Sequence, residues 1–416
     1  MEFNYKKISL LIGFVIICVL IGYGIYLLFF KPTSVAKPTT GDTTVSEGEF
    51  PTSNEGSSSE SINQAGGGLP KETTNPTEPG TLITPLADTI AKGGVTQTTK
   101  ISDAASFAPT LSQDGSSLYY YNQTDGKFYQ LNNDGTATLL SDKTFYNVQN
   151  VNWAPNKQKV IIEYPDGANI LYNFETQKQI TLPKHWQEFD FSPQSDQIVA
   201  KSMGVDPENR WLIISNDDGS KAQAIENLGT EGDRVFSSWS PNNLSIALFT
   251  ESLDFNRQKI YFVGKNHENF KATTVEGRGI DFQWTPSGDR LLYSVYNDQN
   301  NLKPELWIVN GAGDEIGSNR QRLDLQTWAS KCTIANEDTV YCAVPKSLPE
   351  GAGLFPQLAN ESTDNIYKIN LNNGSKQLIA VPNQEYNINN IIVSQSEKYL
   401  YFTDSATNNI HKINLK

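Results

Sequence analysis

The chain has 416 residues, with 33 Lys and Arg residues against 46 Asp and Glu residues, so its formal net charge is −13. Binding to nucleic acid requires a basic surface, and this acidic composition therefore argues against a nucleic-acid partner. Hydrophobic residues make up 38% and aromatic residues 11% of the sequence, which is enough for a folded core. Only three His and three Cys residues are present, so we predict neither a metal site nor a cofactor.

The first segment is a run from Ile8 to Phe30 that contains no charged side chain. A helix over residues 8–30 would be about 35 Å long, enough to cross a hydrocarbon core of about 30 Å. Lys6 and Lys7 precede the run, so the positive-inside rule places residues 1–7 in the cytoplasm and the chain after residue 30 outside. A cleaved signal peptide is the alternative. The run is too long for such a peptide and has no small-residue cleavage site, so we predict a transmembrane anchor with the lipid bilayer as its partner.

Residues 31–94 are rich in Thr, Ser, Gly, Pro and Glu, as in Ser57-Ser58-Ser59 and Gly66-Gly67-Gly68. A segment of this composition buries too little apolar area to offset its chain entropy, so we predict a disordered, low-complexity linker. The remaining residues, 95–416, are assigned to one folded domain.

A repeated pattern begins after the linker. It consists of an aromatic or apolar residue, a small residue, a polar turn that often contains Pro, and a β-branched or aromatic strand. The small residue of six clear copies and one degenerate copy, at 333, stands at Ser112, Ala154, Ser192, Ser240, Thr285, Thr333 and Ser394. Successive markers are separated by 38 residues (154 to 192) to 61 residues (333 to 394), and four-stranded blades repeat every 40–50 residues or so. The spacing predicts an all-β fold, a seven-bladed β-propeller, with six or eight blades as the alternatives.

The last repeat ends at Ile410–Leu415 with a third strand and no room for a fourth. Val95–Ile101, just before the first repeat, resembles the fourth strands elsewhere, such as Lys178–Leu182. Donation of this segment to the last blade would close the ring and remove two exposed sheet edges. We therefore predict one composite blade built from both ends of the domain.

These motifs resemble the TolB-like, WD40-like β-propeller repeat, whose signature is a Ser-Pro-Asp-Gly turn between two strands. The resemblance is carried best by Phe191-Ser192-Pro193, Trp239-Ser240-Pro241 and Trp284-Thr285-Pro286-Ser287-Gly288. It implies the propeller fold over roughly residues 95–416 and indicates little about function. TolB has six blades and an extra N-terminal domain, whereas this chain has a predicted anchor, a linker and seven repeats.

Cys332 and Cys342 are a candidate disulfide pair. Alignment with Trp284 and Ser294 places the two cysteines on antiparallel strands of one hairpin, and an outside compartment would permit oxidation. Two small buried thiols are the alternative, because Cys332 would occupy a position where other blades have Trp or Phe. The pattern favours the disulfide, provided that the two Cβ atoms meet its geometry.

Catalysis is poorly supported by the sequence. His185, His267 and His411 are far apart in the chain, and no Ser, His and Asp residues match a nucleophilic triad by motif. The Gly-x-Ser-x-Gly elbow of propeller peptidases is also absent. We therefore expect a protein that is not an enzyme. The alternative is a propeller enzyme acting on a glycan through channel-mouth carboxylates, for which Asp190 and Asp281 are placed at equivalent positions of their innermost strands.

Binding residues are predicted on the face that carries the second-to-third-strand loops and the blade-to-blade loops. All seven Arg residues lie between residues 210 and 322, and the arginine fork suits carboxylate or phosphate ligands; ion pairs within the same loops are the alternative. The insertion of residues 346–360 on this face either binds a ligand or packs onto the sixth blade. The predicted binding residues are Trp186, Arg210, Arg234, Arg257, Arg278, Trp328, Leu354 and Phe355.

The predicted function follows from location and fold. We predict a membrane-anchored, extracytoplasmic β-propeller that serves as a binding or scaffold module of the cell envelope. Its expected partner is an envelope protein, a peptide or a glycan. A sensor is less consistent with the sequence, because residues 1–7 are too few for a cytoplasmic output domain.

Overall fold

The computed structural model describes residues 19–20, 86–268 and 270–416. Within these residues, no helix has the length and apolar character needed to span a bilayer. The predicted transmembrane segment, apart from Val19 and Leu20, and the predicted linker up to residue 85 lie outside the described residues. All the strands described below lie in one compact unit, Thr81–Lys416.

Seven sheets form this unit, one for each sequence repeat, and the segment before the first repeat adds one short strand to each of the last two sheets. The first strands of neighbouring blades contact one another around the centre, and the strands of each blade follow outward in chain order. Both faces of a blade are covered by its neighbours, and so the middle strands, such as Val160-Ile161-Ile162 and Ile246-Ala247-Leu248, are apolar without alternation and fully buried. The predicted all-β class and the seven blades are confirmed.

The strands are numbered in chain order. Two short strands precede the first blade, β1 (Val95–Thr96) and β2 (Thr99–Lys100). Blade one contains β3 (Ser106–Leu111), β4 (Leu118–Asn122), β5 (Lys127–Leu131) and β6 (Ala137–Leu139). Blade two contains β7 (Asn150–Trp153), β8 (Lys159–Glu163), β9 (Asn169–Asn173) and β10 (Gln179–Leu182). Blade three contains β11 (Trp186–Phe191), β12 (Gln197–Met203), β13 (Arg210–Asn216) and β14 (Gln223–Asn227).

The remaining blades follow the same plan. Blade four contains β15 (Val235–Ser237), β16 (Ser245–Asp254), β17 (Arg257–Gly264) and β18 (Thr273–Val275), and blade five contains β19 (Arg278–Trp284), β20 (Arg290–Tyr296), β21 (Glu305–Asn310) and β22 (Gln321–Arg322). Blade six contains β23 (Cys332–Asn336), β24 (Thr339–Pro345), β25 (Asp364–Asn370) and β26 (Lys376–Pro382), and blade seven contains β27 (Ile388–Val393), β28 (Tyr399–Asp404) and β29 (Ile410–Asn414). Short 3₁₀ helices lie in the loops at Pro207–Asn209, Gly232–Arg234, Asp298–Asn300, Gly313–Glu315, Ala329–Lys331 and Pro356–Ala359.

The ring is closed by the segment that precedes the first blade. β2 pairs antiparallel with β29 and is the fourth strand of blade seven, as predicted. The prediction of one continuous strand over Val95–Ile101 is wrong, because β1 instead pairs in parallel with β26 of blade six. Between the two strands, Thr98 donates its backbone N–H and its hydroxyl to the side chain of Asn383. Splitting the segment covers the outer edges of two blades rather than one, which removes two pairing hazards.

Residues 86–94 also contact the propeller. The N–H of Ala91 donates to the carbonyl of Asn414, and the N–H of Gly93 donates to the carbonyl of Ile379. Asp88 forms a β-bridge with Thr96. The packed chain therefore begins before residue 95, where the sequence pattern placed the boundary.

The degenerate sixth repeat is offset by two residues from the predicted alignment. Ile334 lies opposite Val340 in β23 and β24, as Trp284 lies opposite Leu291 in blade five. The small marker residue of blade six is therefore Ala335 and not Thr333. The offset arises because Asn336 pairs with Thr339, so the hairpin turns through two residues without the longer turn of the other copies.

Polar side chains of three innermost strands form hydrogen bonds with the next blade. Asn152 donates to the carbonyl of Phe189, Gln283 donates to the carbonyl of Ala329 at 2.7 Å, and Asp190 accepts from the N–H of Trp239 at 2.7 Å. Buried backbone groups at the blade seams are paired in this way. The described blades are thus joined by directional hydrogen bonds as well as by apolar packing.

Asp190 and Asp281 do not occupy equivalent positions, contrary to the prediction. Asp190 lies one residue before Phe191, whereas Asp281 lies three residues before the corresponding Trp284. The counterpart of Asp190 is Gln283. The β-bulges of these strands lie before both aspartates, so the difference is already present in the sequence: Asp190 is two residues before the marker Ser192, and Asp281 is four residues before the marker Thr285.

The pH dependence of stability should report on Asp190. Burial raises its pKa to about 6, although the N–H groups of Trp239 and Phe191 both donate to the carboxylate. An unfolded Asp has a pKa of about 3.9, so the folded state binds more protons between these two values. This contribution to the free energy of unfolding is therefore present at low pH and is lost as the pH rises through about 6.

We predict that Asp190→Asn loses this component. Urea unfolding at several pH values should show a difference in unfolding free energy between variant and wild type that changes across the pH window from about 4 to 7. The variant also loses one hydrogen bond, but this loss lowers its unfolding free energy by the same amount at every pH. It therefore does not change the pH dependence of the difference. A difference that is constant across the window would contradict the prediction.

Candidate functional site

One end of the propeller carries the second-to-third-strand loops and the blade-to-blade connections, and we call it the loop face. Three neighbouring loops on this face contact one another. Asn256, at the tip of the β16–β17 hairpin, exchanges hydrogen bonds with Asp298 at 2.9 and 3.1 Å. The backbone N–H groups of Gly351 and Gly353 donate to the carbonyls of Asn301 and Leu302 at 3.0 and 2.7 Å. The insertion 346–360 of blade six is therefore supported by the loop of blade five.

The insertion has a packed underside and an exposed tip. Leu348, Ala352 and Ala359 form a small buried cluster against Trp328. Leu354 and Phe355, by contrast, are 39% and 51% exposed. The packing alternative therefore applies to the underside of the loop, while binding by the exposed tip stays a prediction.

Gly353 explains how closely the insertion can approach blade five. A Cβ atom at this position would lie 2.6 Å from the Cβ of Tyr296 and 2.7 Å from the carbonyl oxygen of Leu302. Any side chain would therefore push the loop outward. The small residue allows the backbone hydrogen bond to Leu302 that holds the insertion in place.

A cavity of about 300 Å³ lies beneath the insertion, where blades five, six and seven meet at the mouth of the central channel, and we call it the channel-mouth pocket. Its walls combine apolar surface with amide, hydroxyl and charged groups. The lining residues are Asp281, Trp328, Ser330, Lys331, Pro356, Ala359, Asn360, Asn387, Ile388, Asn389 and Ser405.

A buried ion pair forms one side of the pocket. Nζ of Lys331 lies 2.8 and 3.0 Å from the two carboxylate oxygens of Asp364, whose side chain is fully buried. Asp364 also accepts from the N–H of Ile388 at 2.6 Å. Burial raises the pKa of the Asp364 carboxyl, and the charge of Lys331 opposes this effect. The lysine is therefore neutralised within the protein and is not a free cation.

Asn387 connects the ion pair with the roof of the pocket. Its side-chain oxygen lies 3.3 Å from Nζ of Lys331, and its Nδ2 donates to the carbonyls of Ala359 and Asn360 at 3.0 and 2.8 Å. The side-chain amide is thereby fully used in positioning blades six and seven. Asn387 supports the pocket and has little capacity left for a ligand.

Other polar groups of the pocket remain available. The N–H of Ser330 donates to Oδ2 of Asp281 at 2.7 Å, and the other carboxylate oxygen remains available as an acceptor. In the part of the chain that the structure describes, the side chains of Asn360 and Asn389 make no hydrogen bond, and both residues are exposed. These amides and the Ser330 hydroxyl can each donate and accept. The arrangement is therefore suited to binding a polar ligand.

The predicted arginines serve their own loops. Arg210 donates to the carbonyls of Gly204 and Val205 at 3.0 and 3.1 Å, and thereby fixes the β12–β13 loop. Arg234 pairs with Glu231 at 2.6 Å, and Arg257 pairs with Asp254 at 2.7 Å. For Arg234 and Arg257, the structure therefore shows the alternative given in the sequence analysis, ion pairs within the same loops.

The other predicted binding residues lie in different parts of the propeller. Arg278 is half-buried at the start of β19 and makes no ion pair with another described residue. Trp186 is only 5% exposed and belongs to the core between blades two and three. Trp328 lines the channel-mouth pocket, and Leu354 and Phe355 belong to the loop that roofs it. The predicted binding residues therefore do not form one cluster.

The pocket amides and the Lys331–Asp364 pair were missed from the sequence. Asn360, Asn387 and Asn389 come from two segments that meet only in the folded ring, and Asn is common throughout this chain. Only their positions in the chain could have indicated a role: residues 387–389 lie at the start of an innermost strand, and residue 360 ends the long insertion.

Cys332 and Cys342 lie directly opposite each other on β23 and β24 and form a disulfide. The bond joins the first two strands of blade six, next to Lys331. Cys332 corresponds to Phe282 of blade five and not to Trp284, as a consequence of the offset described above. The cross-link therefore fixes the beginning of β23, directly after the 3₁₀ helix that contains Ser330 and Lys331.

The carboxylates proposed for catalysis have structural partners. Asp190 accepts two backbone N–H groups at the seam between blades three and four, and Asp281 accepts one at the seam between blades five and six. Among residues 86–268 and 270–416, no group of three His, Cys, Asp or Glu side chains is arranged to hold a metal ion. Both carboxylates therefore contribute to the contacts between neighbouring blades.

No family model and no curated protein sequence matches this chain. Among solved structures, the β-propeller domain of Cps50 (Swd1) from Myceliophteria thermophila is similar, with a TM-score of 0.50 and 13% identity over 77% of this chain and 100% of that one. An oligogalacturonate lyase from Vibrio parahaemolyticus has a TM-score of 0.49 and 12% identity over 77% and 93% of the two chains. Hydrazine synthase from Kuenenia stuttgartiensis has a TM-score of 0.44 and 11% identity over 75% and 96%. At this identity the first similarity shows a shared fold and nothing about activity.

The stability of the fold around the pocket should depend on the buried Lys331–Asp364 pair. We predict that Lys331→Met lowers the free energy of unfolding by about 3–5 kcal/mol, because it leaves Asp364 buried without a counter-charge. The double variant Lys331→Met, Asp364→Asn should recover most of this loss, since no buried charge remains. Urea denaturation of the full-length chain measures both. Equal stability of wild type and Lys331→Met would show that the pair does not carry this role.

Proposed function

We propose that this protein is a membrane-anchored, extracytoplasmic β-propeller that acts as a ligand-binding module of the cell envelope. The anchor is the apolar run Ile8–Phe30 with Lys6 and Lys7 before it, and the repeats that resemble the TolB-like, WD40-like family are consistent with an envelope location. The observation that carries the binding role is the channel-mouth pocket, which three blades and a dedicated insertion build together.

A binding role accounts for the pocket better than catalysis does. The insertion 346–360 adds no structural strand to blade six, yet two backbone hydrogen bonds and a buried apolar cluster fix it over the pocket. A long loop that is held over a cavity is typical of ligand recognition on a rigid scaffold. By comparison, Asp190 and Asp281 already bind backbone N–H groups of neighbouring blades. We therefore propose a protein that binds and does not turn over its ligand.

The exposed apolar tips on the loop face extend the proposed site. Leu354, Phe355 and Leu358 are 39–51% exposed on the insertion, and Leu253 and Phe255 are similarly exposed on the β16–β17 hairpin. Apolar side chains grouped on one surface indicate a contact area for a macromolecule. The ligand is therefore proposed to be part of a larger envelope component that also covers this rim.

Crosslinking on intact cells tests both the location and the binding site. A crosslinker that cannot cross membranes should capture an envelope component on the full-length chain. The double variant Leu354→Glu, Phe355→Glu should reduce the captured amount about tenfold, because it places charges in an apolar contact. Val205→Glu is the matched control, since Val205 is exposed on the loop face of blade three, outside the pocket.

Three outcomes would count against the proposal. Capture that requires a membrane-permeant crosslinker would contradict the extracytoplasmic location. Equal capture by wild type and both variants would contradict the site. Glycan cleavage by the purified chain that is lost in Asp190→Asn would favour the enzyme alternative.

A further inference from the structure

The chemistry of the channel-mouth pocket indicates its ligand class. We propose that the pocket binds a neutral glycan, meaning a saccharide segment without uronate, phosphate or sulfate groups; this rests on the proposed function. Three independent features of the lining support the assignment: its charge, its hydrogen-bonding groups and its aromatic wall.

The charge of the pocket disfavours an anionic ligand. Asp281 and Lys331 are its charged lining residues, and Asp364 already neutralises the lysine from behind. A ligand carboxylate or phosphate would therefore meet the Asp281 carboxylate without a free cation among the lining residues to compensate it. Arg234 and Arg257 are paired within their own loops. Arg278 and Lys346 make no ion pair with a described residue, but neither of them lines the pocket.

The hydrogen-bonding groups match hydroxyls. The side chains of Asn360 and Asn389 and the hydroxyl of Ser330 each donate and accept, and each is without a hydrogen-bond partner among the described residues. The second oxygen of Asp281 adds an acceptor. Sugar hydroxyls also donate and accept, and several neighbouring hydroxyls on one ring can satisfy such a set together. A single charged or apolar ligand group could not satisfy all of these donors and acceptors.

The aromatic wall is suited to the flat face of a sugar ring. Trp328 is half-buried and is held from below by Leu348, Ala352 and Ala359, so its position is fixed. The face of an aromatic ring carries negative potential, which attracts the weakly positive C–H groups on a pyranose face. Ala359 both packs against Trp328 and adds apolar surface to the pocket lining.

The size and position of the pocket fit a short saccharide segment. Its volume of about 300 Å³ is at the lower end for small-ligand sites. Because it opens at the channel mouth, a longer glycan can continue beyond it across the loop face. A short peptide is the competing occupant, and the test below separates the two.

Direct binding to defined oligosaccharides tests the proposal. The full-length chain in detergent is titrated by calorimetry with neutral hexose and N-acetylhexosamine tetrasaccharides, with a uronate tetrasaccharide of matched linkage, and with neutral tetrapeptides. We expect binding of at least one neutral saccharide, and at least tenfold weaker binding of the uronate. Asn389→Ala should weaken the neutral saccharide about tenfold, while Asn209→Ala, an exposed Asn on the loop of blade three, should leave it unchanged.

A Trp328 series adds a second line of evidence. Trp328→Phe should retain part of the binding, because it keeps an aromatic face, and Trp328→Ala should abolish it. If Trp328→Ala lowers the melting temperature strongly, Asn389→Ala and Asn360→Ala decide the question, since neither side chain supports the fold through a hydrogen bond in the described structure.

The outcomes separate the ligand class from the proposed function. Uronate binding as tight as neutral binding, no saccharide binding at all, or saccharide binding that Asn389→Ala leaves unchanged would each overturn the glycan assignment. Peptide binding without saccharide binding, if it is lost in Asn389→Ala, would also overturn the glycan assignment while leaving the pocket as the binding site.

Discussion

Ring closure is the constraint on which the rest of this structure depends. Blade seven has three strands of its own, and β2 supplies the fourth from the other end of the domain. The preceding strand β1 lies against blade six, so one short segment fixes two neighbouring blades. The channel-mouth pocket is built from blades five, six and seven. Its geometry therefore depends on the same closure that removes the open sheet edges.

Directional polar contacts complement the apolar packing between the blades. Asn152, Asp190 and Gln283 each bond a backbone group of the next blade. Burying a carboxylate such as Asp190 is unfavourable by itself, as its raised pKa indicates. The N–H of Trp239 nevertheless donates to this carboxylate across the seam and so joins blade three to blade four. The Lys331–Asp364 pair acts similarly between blades six and seven, because Asp364 also accepts from Ile388. The contacts of Gln283 and of the Lys331–Asp364 pair therefore connect the walls of the pocket to blades five, six and seven.

The fold could be predicted from the sequence because its signals are local and repeated. The Pro-containing turns after Phe191, Trp239 and Trp284 mark one hairpin per blade, and their spacing determines the blade count. The offset of blade six could not be predicted, since its two-residue turn is shorter than the turns of the other copies and the alignment assumed equal turns. The division of the closing strand depends on the relative positions of two blade edges, which the sequence does not contain.

The candidate site was harder to predict than the fold. Trp328, Leu354 and Phe355 could be identified because a large aromatic residue and an apolar insertion stand out in a loop. Asn389 carried no such signal, and only the meeting of blades gives it a role. The most direct test of that role is photo-crosslinking in intact cells with a photoreactive residue at position 389, compared with position 209. We predict a ligand adduct from position 389 alone. Equal adducts at both positions, or none at 389, would contradict a binding site at the channel mouth.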